Sequence, residues 1–155
     1  MKGFQMVDSE RHVGRPRKHD AEYFPHFCNP NRILEIIEDK YGNDGYGFYY
    51  RLRELLGKTP KHGYDANNTL KYDYLLSKTG VDSDFADEII ALLCDFGELD
   101  GDLWRDKKLL WWQNFVDSLK VLYKKRKNEL PKKADFIISV LIEEENQGTE
   151  IHKVN

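Results

Sequence analysis

Along much of the chain, apolar residues recur at the three-and-four spacing that gathers them on one face of a helix. The first such stretch follows Asn29-Pro30, a helix start with Asn at the cap and Pro at the first helical position. Ile33, Leu34, Ile36, Ile37 and Tyr41 carry the period, and Gly42 ends it. Residues 43–45 read as a turn. A second helix is expected from about residue 46 to 56, with Tyr49, Leu52, Leu55 and Leu56 inward. Upstream, residues 22–28 are rich in aromatics, and Pro25 favours extended backbone at Phe24, so this segment is expected to pack on the core in extended form. Residues 57–68 (GKTPKHGYDANN) are turn-rich and read as a loop with a short edge strand.

The next stretch holds two short helices. Thr69 caps the first, in which Tyr72, Leu75, Leu76 and Thr79 fall at offsets 0, 3, 4 and 7. Gly80 stops it, and Val81 reads as a buried turn residue. Asp82 or Ser83 caps the second, which carries Phe85, Ile89, Leu92, Leu93 and Phe96 on one face and ends at Gly97. Helix, three-residue turn and helix is the spacing of a helix-turn-helix. Residues 98–104 (ELDGDLW) then read as two extended pieces around Asp-Gly, a strong hairpin signal, and residues 107–112 (KKLLWW) as a further extended stretch. The expected fold is therefore mainly α with some β: a winged helix-turn-helix with a small β-hairpin wing and extra flanking helices. A last amphipathic helix is expected over 113–128, with Phe115, Val116, Leu119, Leu122 and Tyr123 inward, before Pro131. Residues 134–142 (ADFIISVLI) are β-branched and read as a strand, with a short helix or a partner-binding segment as alternatives. The organisation is a flexible basic arm (1–20), a winged-helix domain (21–130) and a C-terminal extension (131–155).

Composition supports one globular domain: 155 residues, 40% hydrophobic, with nine Tyr, eight Phe and three Trp to fill a core. The formal net charge of −3 hides strong segregation. Residues 11–19 hold four bases and no acid; residues 82–102 hold eight acids and no base; residues 120–133 hold seven bases against Glu129 alone. Such asymmetry fits a polyanion-binding face beside an acidic one. No apolar run approaches the roughly 20 residues of a membrane span, the basic N-terminus has no secretory apolar core, and two distant cysteines, Cys28 and Cys94, make no disulfide framework. A cytoplasmic protein of a bacterial host cell, without membrane association, is expected.

Three groups of residues together resemble a known family. They are Tyr23-Phe24-Pro25; Tyr41-Gly42 with Gly45-Tyr46-Gly47-Phe48-Tyr49-Tyr50-Arg51-Leu52; and Leu75-Leu76, Gly80-Val81, Ile89-Ile90 and Phe96-Gly97-Glu98-Leu99. Roughly from Arg15 to Lys127, the chain is similar to the N-terminal winged-helix domain of replisome-organiser-type replication proteins. These occur in bacteriophages and mobile elements of Firmicutes and Bacteroidetes, and the domain is like the one that precedes the DnaD-like module. The resemblance implies DNA binding at a replication origin and a platform for replication-protein partners. Longer family members carry a further C-terminal domain. Where the family has small polar residues after the last strand, this chain has Trp111-Trp112-Gln113-Asn114.

The chemistry shapes that expectation. The second helix of the motif, which normally reads bases, carries Asp84, Asp87, Glu88 and Asp95 and no Arg, Lys, Asn or Gln from Ser83 to Phe96. Carboxylates repel phosphates, so DNA is expected elsewhere and these four acids are candidates for a protein contact. Candidate DNA contacts are the arm (Arg15, Arg17, Lys18), the wing (Arg105, Lys107, Lys108), the last helix (Lys120, Lys124, Lys125, Arg126, Lys127), and Lys71 and Lys78 on the first helix of the motif. They would grip phosphates without reading sequence, and duplex DNA is expected in preference to single strands. The acidic and basic faces could also pair between copies, giving a homo-oligomer. The alternatives to a replication-initiation role are a protein-interaction module (adaptor, inhibitor or assembly protein) and a transcriptional regulator. Trp104, Trp111 and Trp112 could stack on single-stranded bases, although at least one is expected in the core. His26-x-Cys28 has no zinc-site spacing, Gly42, Gly45 and Gly47 follow no strand, and no phosphate loop or nucleophile elbow is present, so no enzyme activity, metal or cofactor is expected.

Overall fold

The computed structural model describes residues 20–154, with side chains through residue 148. It is mainly helical, with one small antiparallel sheet. Helix α1 (Arg32–Lys58) starts at Asn31, whose side chain accepts from the Leu34 amide at 2.8 Å. The start lies two residues past the expected Asn29 cap, because only Asn31 places its carboxamide over the first turn. The expected break is present as a kink rather than a loop. Gly42 takes φ 66° and ψ −149°, a conformation that L side chains rarely adopt, and helical geometry resumes at once. Gly45 then tucks beneath the preceding turn, where a Cβ would lie 2.6 Å from that of Tyr41.

A short 3-10 turn (Pro60–His62) leads to strand β1 (Tyr64–Asp65). Helix α2 (Thr69–Thr79) is capped by Asn68 rather than Thr69, and ends at Gly80 in the left-handed region. Helix α3 (Ser83–Asp95) is capped by Asp82. The helix pair therefore stands where the periodicity puts it, with Leu75, Thr79, Ile89 and Leu93 buried. Ala86 and Ile90 are also buried, whereas Phe96 is exposed.

The expected hairpin is absent. Asp100-Gly101 opens a third short helix, α4 (Gly101–Lys107), because the Asp100 carboxylate accepts from the Leu103 amide at 3.0 Å and caps it. Lys108 closes α4 in the left-handed region. Strand β2 (Leu109–Leu110) follows and pairs antiparallel with β1, Tyr64 opposite Leu110 and Asp65 opposite Leu109.

The last amphipathic helix is broken into α5 (Gln113–Ser118) and α6 (Lys120–Tyr123), and residues 124–128 are turn and bend. All five expected inward residues are buried. The C-terminal segment is helix α7 (Lys133–Val154), not a strand. Asp135 accepts from the Lys132 amide at its start, and Phe136 and Val140, four apart, bury one face. Phe136 stacks on Trp111 and lies over Gly63, where any Cβ would meet its ring at 2.4 Å. All three tryptophans are core residues; none is a free stacking platform. Among the described residues, no helix is long and apolar enough to cross a membrane.

Candidate nucleic-acid interface

The basic residues named from sequence fall into three groups. Arg15, Arg17 and Lys18 lie outside the described residues. The second group is tied to carboxylates or rings. Lys71 pairs with Glu143 at 3.3 Å, Lys78 with Glu54 at 3.6 Å, and Arg105 with Asp102 at 3.1 Å. Lys108 lies over the Trp104 ring at 4.6 Å. With no hairpin formed, Arg105, Lys107 and Lys108 are not wing residues; they sit on the last turn and cap of α4, and Lys107, unlike the other two, is exposed without an ion-pair or ring partner among the described residues.

The third group is the candidate surface. Lys120, Lys124, Lys125 and Lys127 are exposed, and none makes an ion pair among the described residues. Because α6 ends at Tyr123, the last three lie on a turn rather than on a helix face. Arg126 belongs to the frame instead. It donates to the Asp20 carbonyl at 2.8 Å and lies over the Tyr123 ring at 4.8 Å.

What holds this turn in place is buried beneath it. His62 is fully buried and joins the Leu56 carbonyl at 3.1 Å to the Tyr123 hydroxyl at 2.6 Å. Burial lowers the His62 pKa, with nearby Arg126 acting in the same direction, so the ring is held neutral. The strand entry is strained there: Lys61 and His62 both have positive φ. That turn carries Lys61 to a cleft of about 590 Å³ that Lys127 also lines, opposite Glu129 and Asp135. Lys61 is a candidate that the sequence did not single out, since a lone Lys in a turn-rich loop carries no signal.

The acidic candidates are on the surface of α3, as expected. Asp84, Asp87, Glu88 and Asp95 are all exposed. Two are engaged: Asp87 accepts from the Tyr72 hydroxyl, and Glu88 pairs with Lys40 at 3.8 Å.

Comparison with protein-family models, curated proteins and solved structures finds no match.

The other feature missed from sequence is Arg53. It points inward from α1, one turn after Tyr49, and its guanidinium lies 4.4 Å from the Trp112 ring centre and 4.6 Å from that of Tyr49. It donates to the Tyr49 hydroxyl at 2.8 Å. Glu98 accepts from Trp112 Nε1 at 2.8 Å and from Asn114 at 3.3 Å, so it ties α5 to the loop before α4. The available signal was an arginine at an inward position of an otherwise apolar face.

Proposed function

We propose that this is a DNA-binding protein of phage or mobile-element replication initiation that holds duplex DNA through phosphates. The observation that carries the DNA reading is the exposed group Lys120, Lys124, Lys125 and Lys127, four cations with no carboxylate at ion-pair distance among the described residues. A cation that is already paired gains little from a phosphate, and an unpaired one releases the phosphate's counterions. The replication role rests on the resemblance of residues 15–127 to the replisome-organiser domain.

A winged-helix relationship is supported by element order. A short strand lies between α1 and α2, and a partner strand follows the helix pair, with α4 in place of the hairpin. On this reading α3 stays out of the major groove, because its exposed face is acidic. A second reading follows from the same face: Asp84 and Asp95 are exposed carboxylates suited to a basic protein partner.

Fluorescence anisotropy with labelled duplex, from low to physiological salt, tests the first reading. Lys120, Lys124, Lys125 and Lys127 are changed together to Ala, leaving the Arg126 anchor intact. Binding that falls steeply with salt and is lost in the variant supports the reading. Absence of binding to duplex at low salt sinks it and leaves α3 as the docking face.

A further inference from the structure

The segment before α1 crosses the aromatic end of that helix and leaves a cleft of about 380 Å³, lined by Phe27, Cys28, Asn29, Tyr49, Tyr50 and Arg53. Two polar groups there lack a complement. Arg53 has no carboxylate at ion-pair distance among the described residues, and its Nε is buried without a partner. The Glu98 carboxylate acts on it only from beyond ion-pair distance, so the partly compensated, half-buried guanidinium favours a further anion beside it.

The second group is the Tyr49 hydroxyl. It accepts from Arg53 at 2.8 Å and from Asn31 Nδ2 at 3.2 Å. The Asn31 amide cannot be turned round, because its Oδ1 caps the Leu34 amide. With two donors upon it, the Tyr49 hydroxyl has its own proton left to give. The cleft therefore offers a positive charge and a hydroxyl donor and asks for an acceptor that carries negative charge.

Aromatic faces flank that spot. Phe27 is 75% exposed. His26 lies flat on Tyr50, with ring centres 3.8 Å apart and planes 11° from parallel. Phe27 also lines a second cleft of about 350 Å³, together with Tyr46, Tyr50 and Glu38. Glu38 would repel a phosphate there but not a neutral base.

We propose that this pair of clefts binds single-stranded DNA, with a phosphate on Arg53 and the Tyr49 hydroxyl and an adjacent base stacked on Phe27. Stacking on rings with a nearby cation is how sequence-tolerant single-strand sites are built. The site is separate from the lysine turn and does not depend on the duplex reading.

The test is anisotropy with a labelled oligodeoxythymidine and, separately, a labelled duplex, using wild type, Phe27→Ala and the four-lysine variant. Phe27 is exposed, so Phe27→Ala should keep the wild-type melting temperature. It should weaken oligodeoxythymidine binding by about tenfold, the scale of one lost base stack, and duplex binding by less than about twofold. Adding Phe27→Ala to the four-lysine variant should produce the same loss of about tenfold. Oligodeoxythymidine should also change tryptophan emission, since Trp112 packs on Arg53, and inorganic phosphate should compete weakly. Equal loss of both DNAs in Phe27→Ala, no loss of either, or no binding of oligodeoxythymidine by wild type would each overturn the proposal. So would binding of an oligoglutamate peptide with full displacement of the oligonucleotide, which would mark the cleft as a carboxylate site.

Discussion

Arg53 is enclosed by the rings of Tyr49, Trp112 and Phe115, whereas Lys120, Lys124, Lys125 and Lys127 stand in water. Both arrangements leave a cation without a carboxylate at ion-pair distance among the described residues, yet they do different things to the molecule. The enclosed one is part of the packing: its flat guanidinium fills space between α1 and α5 and fixes a phenol. The exposed ones contribute little to stability and are available for a partner. Charge at the same formal value thus also carries packing in one place and stands only in water in the other, and burial with stacking decides which.

The largest test of this contrast is stability. Arg53→Ala removes contact with three rings and strips the Tyr49 hydroxyl of a donor, and is expected to cost about 3 kcal/mol and to lower Tm by about 10 °C. The four-lysine variant should lie within about 0.5 kcal/mol per site of wild type in the same thermal scan. Equal losses would erase the distinction. The second test is the salt dependence of duplex binding. Removing four phosphate contacts should reduce the slope of log K against log salt by about 3 to 4, and an unchanged slope would remove these lysines from the interface.

Asp100 offers a smaller effect. It caps α4 and pairs with Lys133 at 2.8 Å, which ties the start of α7 to the domain. Partial burial pushes its pKa up, but Lys133 and the Leu103 amide outweigh that and leave it below the ordinary carboxylate value. Asp100→Ala should cost about 1 kcal/mol by denaturant titration. Asp100→Asn should recover part of that loss, since Asn also caps.

The gentlest test is pH. His62 sits under the lysine turn and its pKa is lowered chiefly by burial, with the Leu56 carbonyl opposing the shift and Arg126 adding to it. The unfolded chain therefore binds the His62 proton more readily than the folded one. Stability should be full above the ordinary His pKa of about 6.5 and decline as pH falls below it. Asp20 and Asp100 have lowered pKa values, so their loss belongs to the more acid range, below about pH 4. Denaturation midpoints between pH 8 and 5 should fall in wild type and flatten in His62→Gln.

Legibility in the sequence followed the range of the interaction. The helix pair α2–α3 could be read because its signals are local: Asp82 and Gly80 act within a few residues of themselves, and the cap of α2 differs by one residue, Asn68 for Thr69. Asp100-Gly101 misled because one dipeptide serves both a hairpin turn and a helix cap. Leu99, Leu103 and Trp104, spaced four and one apart, also fit a helix, and packing of Trp104 in the core selects it. Residues 134–142 misled through β-branched content; Phe136 and Val140 against Trp111 and Gly63 override that propensity. Of the candidate site, the basic run was evident from charge, but its lysines were expected on a helix through residue 128 and Lys124, Lys125 and Lys127 lie instead on a turn. The burial of Trp112 and the Arg53 box depend on α1 meeting α5, about 60 positions apart in sequence, and no local pattern encodes that meeting.

The β1–β2 ladder joins Tyr64 to Leu110 and Asp65 to Leu109, with one more hydrogen bond from the Ala66 amide to the Lys108 carbonyl. Closing a loop of that span costs about 3 kcal/mol in chain entropy, more than so short a ladder returns. The ladder is therefore favoured only while α2, α3 and α4 hold its two strands together. Its amide protons should exchange with solvent whenever that three-helix hairpin loosens, which makes them reporters of the module's opening.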